Sequence, residues 1–208
     1  MTDLSTDPLI QGYRRFRAHQ WPEARQAYER LASVGQTPHT LFLACSDSRA
    51  DPALIFDAAP GDLFVVRNVA NLVPPYQPDG GLHGVSSALE FGVKALNVSR
   101  IVVMGHALCG GVQAMRSESG AAGLDFVEAW VDQGRPTVKR ALEGCGHDHN
   151  EVQVSEEAIV KLSLDNLRTF PWIAEREAAG ELTLTGLHFG IADGALRVLG
   201  PDGEFHPV

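Results

Sequence analysis

The chain is poor in cysteine, in basic charge and in long apolar runs, and each shortage closes off a class of protein. Three cysteines in 208 residues, Cys45, Cys109 and Cys145, are too few and too scattered for a disulfide framework. They remain available as thiolate ligands or as inert core residues. Seventeen Lys and Arg against 26 Asp and Glu give a formal charge of -9, which argues against nucleic acid or an anionic membrane surface as the main partner. No segment approaches the roughly 20 apolar residues needed to span a bilayer. The opening MTDLSTDPLIQGYRRF carries acids where a signal peptide carries bases, and no apolar stretch follows it. These absences lead us to expect a cytoplasmic protein without nucleic-acid or membrane partners. The length suits one domain over residues 1–208 with a full hydrophobic core.

What is present is organised. Residues 1–35 read as a helical arm: Leu9, Ile10, Tyr13 and Phe16, then Trp21, Ala24, Tyr28 and Leu31, recur at helical spacing. The apolar stripes are narrow, with Arg14, Arg15, Arg17 and Arg25 around them, so the helices could cover their own core or dock on a neighbouring subunit. After them come short apolar runs at Thr40–Ser46, Asp62–Asn68, Arg100–His106 and Leu182–Ile191. Helical patterns lie between, at about His83–Leu96, Leu124–Leu142 and Ser155–Phe170. Strands apolar on both faces, alternating with helices, predict an α/β fold with a mainly parallel sheet covered on both sides. In GIADGALRV, Asp193-Gly194 separates two apolar stretches as a hairpin turn, so the last strand is expected to be antiparallel at an edge. Pro136 and the polar run Gly144–Asn150 read as loop.

The stretch LFLACSDSRA (41–50) sets a thiol, an acid and a base directly after a buried strand. In open α/β sheets, ligands collect beyond the carboxyl ends of the strands. Cys45 ends the first strand there. RIVVMGH brings His106 to the same end of another strand, and GHALCGG sets Cys109 three residues on, with Gly105, Gly110 and Gly111 allowing a tight bend into a helix. Two thiolates and an imidazole form a zinc set, and three protein ligands with an open position form the catalytic pattern. Other readings stay open. A cysteine ending an apolar strand can be a plain core residue, and Cys145, His147 or His149 could complete a structural four-ligand site.

C-S-D-S-R at 45–49 together with H-A-L-C-G-G at 106–111 resembles the β-class carbonic anhydrases, and the likeness extends over about residues 36–190. PGDLFVVRNVANLVPPY (60–76), SSALEFGVKALNVSRIVVMGH (86–106) and SLDNLRTFPWI (163–173) resemble that family's segments in the same order. The resemblance implies a zinc enzyme interconverting carbon dioxide and bicarbonate, with Cys45, His106 and Cys109 as ligands and Asp47 paired to Arg49. It implies four parallel strands with an antiparallel edge strand, and a homodimer or dimer of dimers whose N-terminal helices pack on the partner. Phe64, Val69 and Phe91 match pocket walls, Gly110 a substrate contact, and Gln36 an amide donor to substrate across the dimer interface in the plant-type branch.

In that implied site, zinc lowers the pKa of bound water and yields hydroxide. Asp47 accepts the hydroxide proton, and Arg49 holds Asp47 in place. Another branch of the family keeps a pocket for inhibitory bicarbonate lined by an arginine, a tryptophan and a tyrosine. This chain keeps Arg67 there but has Phe42 and Phe91, so we expect no such regulation. Rival readings are a hydrolase of the same fold acting on carbonyl sulfide or carbon disulfide, and a non-catalytic zinc or redox protein using Cys45 and Cys109.

Overall fold

The computed structural model describes residues 4–145 and 150–208, and the chain divides into two compact units, Met1–Thr37 and Pro38–Val208. In the first, α1 (Pro8–Arg15) starts where the Asp7 carboxylate accepts the N–H of Leu9 at 2.8 Å and proline fills the first turn. A π-helical turn, Phe16–Gln20, joins it to α2 (Trp21–Val34). The Phe16 ring meets Trp21 at 6.2 Å and Tyr28 at 6.4 Å between centroids. No residue of these three segments is buried.

The second unit is the α/β fold. It runs β1 (Thr40–Cys45), α3 (Pro52–Ile55), β2 (Leu63–Asn68), a 3-10 turn at Val69–Asn71 and α4 (Gly84–Glu90), which runs on into a π-helical turn, Phe91–Ala95. Next come β3 (Arg100–His106), α5 (Gly110–Met115), α6 (Val127–Asp132), α7 (Arg135–Glu143), α8 (Glu151–Leu167) and α9 (Pro171–Ala178). The chain closes with β4 (Thr183–Phe189), β5 (Leu196–Leu199) and β6 (Phe205–Pro207). The sheet order is β2-β1-β3-β4-β5-β6. The first four strands are parallel, and β5 and β6 are antiparallel.

Alternation along the strands divides the core. Leu41, Leu43, Ile101 and Val103 face Val160, Leu164 and Leu167 of α8, while Phe42, Ala44, Val102 and Met104 pack with Ala50 and Leu187 on the other side. A third cluster gathers Cys45, Ala70, Leu72, Cys109, Val112, Met115 and Ile159. It forms the apolar backing of the site.

Three sequence expectations need correction. The edge holds two antiparallel strands where one was expected, because β6 is too short and too polar to register as a pattern; its Pro207 is tolerated at the sheet's outer edge. The helix expected over Leu124–Leu142 is two helices, α6 and α7. Pro136, expected in a loop, sits in the first turn of α7, where its missing N–H leaves no bond unmade. Among the described residues no helix is long and apolar enough to cross a membrane.

Candidate metal centre

β1 and β3 are neighbouring parallel strands, with Leu43 opposite Val103 and Ala44 opposite Met104. Cys45 and His106 therefore finish side by side at the carboxyl ends of two central strands. Cys109 follows as the N-cap of α5, reached through Leu108, whose φ of 58° lies in the left-handed region. Gly111 explains how α5 comes in so close: a Cβ there would lie 2.7 Å from Val69 Cγ1 and 2.9 Å from Ala70 Cβ. A side chain at 111 would force α5 and the Val69–Asn71 turn apart.

The result is a compact set of donors. The ligand atoms of Cys45, His106 and Cys109 all lie within 4.8 Å of one another, and all three residues are buried. The two sulfurs are 3.9 Å apart; tetrahedral zinc with Zn–S bonds of about 2.3 Å needs roughly 3.8 Å. His106 Nδ1 lies 2.9 Å from the Ala107 carbonyl oxygen, a contact that assigns the proton to Nδ1 and leaves Nε2 as the acceptor. That Nε2 is buried and has no hydrogen-bond partner, an arrangement a metal would satisfy. The donor set fits zinc.

The electrostatics agree. The hydrogen bond between the two sulfurs draws the Cys45 thiol well below the ordinary thiol range, with help from His106 and the backbone N–H groups of Asp47 and Ala70. The same bond, together with burial, pushes the Cys109 thiol up. A bound cation would displace the protons of both thiols. Burial pulls His106 down, but the Cys45 sulfur, the Ala107 carbonyl and Asp47 outweigh it and raise the imidazole.

Asp47 sits at the outer side of this set, its Oδ2 3.9 Å from His106 Nε2. Arg49 grips the carboxylate in a fork, Nε to Oδ1 at 2.9 Å and Nη2 to Oδ2 at 2.7 Å, and its backbone N–H adds a third bond at 2.9 Å. Arg49 thereby holds the carboxyl well below the usual carboxylate range. Arg67 is committed elsewhere. It donates to the carbonyls of Cys45 at 2.9 Å and Asp47 at 2.6 Å and pairs with Asp51 at 2.6 Å.

Of the expected pocket residues, Phe64 and Phe91 pack ring to ring at 5.8 Å, and Phe91 remains 51% exposed. Val69 is also exposed and opens the turn after β2. Gly110 has nothing within 4 Å of where a Cβ would stand. Gln36 belongs to the N-terminal unit and is exposed. Cys145 is not a member of the metal-ligating cluster, and His147 and His149 lie outside the described residues.

Sequence reasoning missed Glu156 and overlooked the place of His188. Glu156 Oε1 accepts the backbone N–H of Cys109 at 3.2 Å, and its Oε2 meets His188 Nε2 at 2.9 Å. A signal was there to read. Glu156 shares a helical stripe with Val152, Ile159, Val160 and Ser163, where a solvent-facing acid does not belong.

Comparison with known proteins points the same way. The family model described as carbonic anhydrase matches residues 40–196. "Beta carbonic anhydrase 5, chloroplastic" of Arabidopsis thaliana is 37% identical over 190 residues; the match covers 90% of this chain and 62% of that protein. This chain thus spans less than two thirds of that relative. The solved structure of the β-carbonic anhydrase CcaA superposes with a TM-score of 0.87 at 32% identity, covering 96% of this chain and 90% of that one. A structure from work on two tetrameric β-carbonic anhydrases of Sordaria macrospora gives a TM-score of 0.78 at 27% identity, covering 92% and 95%. With strand ends, donor set and sequence in agreement, the chain belongs to the β-class carbonic anhydrases.

Proposed function

We propose that the chain catalyses the reversible hydration of carbon dioxide to bicarbonate and a proton, with zinc held by Cys45, His106 and Cys109. The observation that carries this reading is the convergence of three ligand atoms within 4.8 Å beside a carboxylate pinned by Arg49. Zinc bound there would supply a Lewis acid that brings the pKa of water from about 15.7 towards 7. The remaining work falls to side chains. Asp47, kept ionised by Arg49, acts only as an acceptor; it accepts a hydrogen bond from the oxygen nucleophile and turns a lone pair towards substrate. Phe64, Val69 and Phe91 provide the apolar wall that a small neutral substrate needs, and the open space at Gly110 admits it.

The active form we propose is a homodimer or a dimer of dimers, with Gln36 donating its amide to substrate bound in the partner. Helices that bury none of their residues, with Leu9 83% and Tyr13 59% exposed, need a covering surface. Unpaired thiols at Cys45, Cys109 and Cys145 suit a reducing cytoplasm. Stopped-flow hydration assays with zinc measured on the same preparation test the reading. The expected result is one zinc per chain and a rate that tracks zinc content. A fully zinc-loaded protein that hydrates no carbon dioxide sinks it, and a parallel assay with carbonyl sulfide separates the hydrolase alternative.

A further inference from the structure

Two ionisable side chains lie deep in the α/β unit with no part in the chemistry above. Glu156 of α8 is 2% exposed and His188 of β4 is 3% exposed. Such groups are seldom buried without partners that use them. Here each oxygen of the Glu156 carboxyl has its own partner: His188 Nε2 at 2.9 Å on one side, the Cys109 backbone N–H at 3.2 Å on the other. The neighbouring Glu157 shares none of this and accepts a bond from Gln153. The approach is built into the packing, because His188 stands opposite Gly105. A Cβ on Gly105 would come within 2.7 Å of Val160 Cγ2, so glycine there lets α8 settle onto β3.

The segment that receives this bond is the one most in need of it. Between the ligands His106 and Cys109 the backbone passes through the left-handed region at Leu108, a conformation that a leucine holds only under constraint. Two tethers supply the constraint. On the outer side Arg49 Nη2 donates to the Leu108 carbonyl at 3.3 Å; on the inner side Glu156 takes the next N–H. As the N-cap residue of α5, Cys109 leaves its own N–H outside the helical ladder, free for Glu156. We infer that the Glu156–His188 couple is a positioning device for the metal ligand Cys109, in which His188 fixes the carboxyl rotamer and the carboxyl fixes the backbone that aims the sulfur.

This inference rests on the zinc reading, and the test separates the two. Zinc-loaded wild type, Glu156→Ala, Glu156→Gln and Val160→Ala are mixed with a chromophoric chelator, and the rate of zinc release is followed. The cobalt-substituted proteins report thiolate-to-metal charge transfer alongside. Loss of an outer partner of a metal ligand costs about 10- to 100-fold in metal affinity, so Glu156→Ala is expected to release zinc faster by that factor and to shift the cobalt band. Glu156→Gln keeps an acceptor for Cys109, and its amide can donate to the other tautomer of His188; its rate stays within about 3-fold of wild type. Val160→Ala, an equally buried change in the same helix, lowers stability and leaves release unchanged. Wild-type release from Glu156→Ala overturns the inference, as does a glutamine variant as leaky as alanine. If the alanine variant does not fold, His188→Phe decides, with faster release expected and wild-type release overturning. Full zinc in Cys109→Ser overturns the zinc reading itself; loss of zinc there with unaltered release from Glu156→Ala overturns the positioning role alone.

Discussion

The two sides of the metal centre are built in opposite ways. On the inner side Cys109 is buried, backed by Val112, Met115 and Ile159 and bonded to Glu156. On the outer side Asp47 and Arg49 bond to each other, with the Arg49 side chain 48% exposed. An interior amide bond to a carboxyl is screened little and resists water; an exposed ion pair gains little stability. The inner side therefore suits the task of holding a metal in one geometry. In the function proposed above, the outer side suits a group that must stay ionised and meet substrate. On the proposed function, one small site separates holding from reacting.

That division can be broken experimentally. The largest effect is expected on the inner side: Cys109→Ser should cut zinc from one per chain to below about a tenth, read by elemental analysis, and abolish hydration with it. Asp47→Asn attacks the outer side. It should keep zinc and lose about 10²- to 10⁴-fold in kcat/KM, the usual scale for a proton-handling group; wild-type kinetics in that variant would remove Asp47 from the chemistry. A pair of adjacent glycines sharpens the contrast further. Gly111→Ala forces a methyl against Val69 and Ala70 and should cost about 1–3 kcal/mol in denaturant unfolding. Gly110→Ala meets no atom within 4 Å and should change stability by less than about 0.5 kcal/mol. The smallest effect concerns regulation. Arg67 is spent on two carbonyls and Asp51, and Phe42 and Phe91 offer no donors, so bicarbonate inhibition should follow a simple hyperbola. A Hill coefficient clearly above one would show a second bicarbonate site.

Much of this was legible in the chain, for a physical reason. β1 and β3 are buried on both faces, so they read as unbroken apolar runs, and reactive residues at their ends stand out against them. The hairpin after β4 was legible because Asp193-Gly194 is a turn pair, and Gly190 N–H does close on the Ala195 carbonyl at 2.8 Å. What stayed hidden depends on contacts made at a distance. The place of Glu156 on an apolar stripe marks it as buried, but its partners, the Cys109 N–H and His188, come into view only when α8 is laid on β3. The helical pattern suggests a start at Ser155, but α8 begins four residues earlier at Glu151, where the Asn150 side chain caps it by accepting the Val152 N–H at 3.1 Å. The break between α6 and α7 went unseen because apolar residues keep helical spacing across it.

The strand order has a consequence for synthesis. β1 carries the first sulfur, but Cys109 follows 64 residues later, Glu156 another 47 after that, and His188 lies close to the end. A ribosome adds about 5–20 residues per second, so Cys45 waits on the order of ten seconds after emerging before its last supporting partner exists. During that interval the thiol is held by a growing chain that has not yet formed the pocket. A metal held by the full donor set would wait for the finished domain, and the thiols of the nascent one would depend on the reducing power of their surroundings.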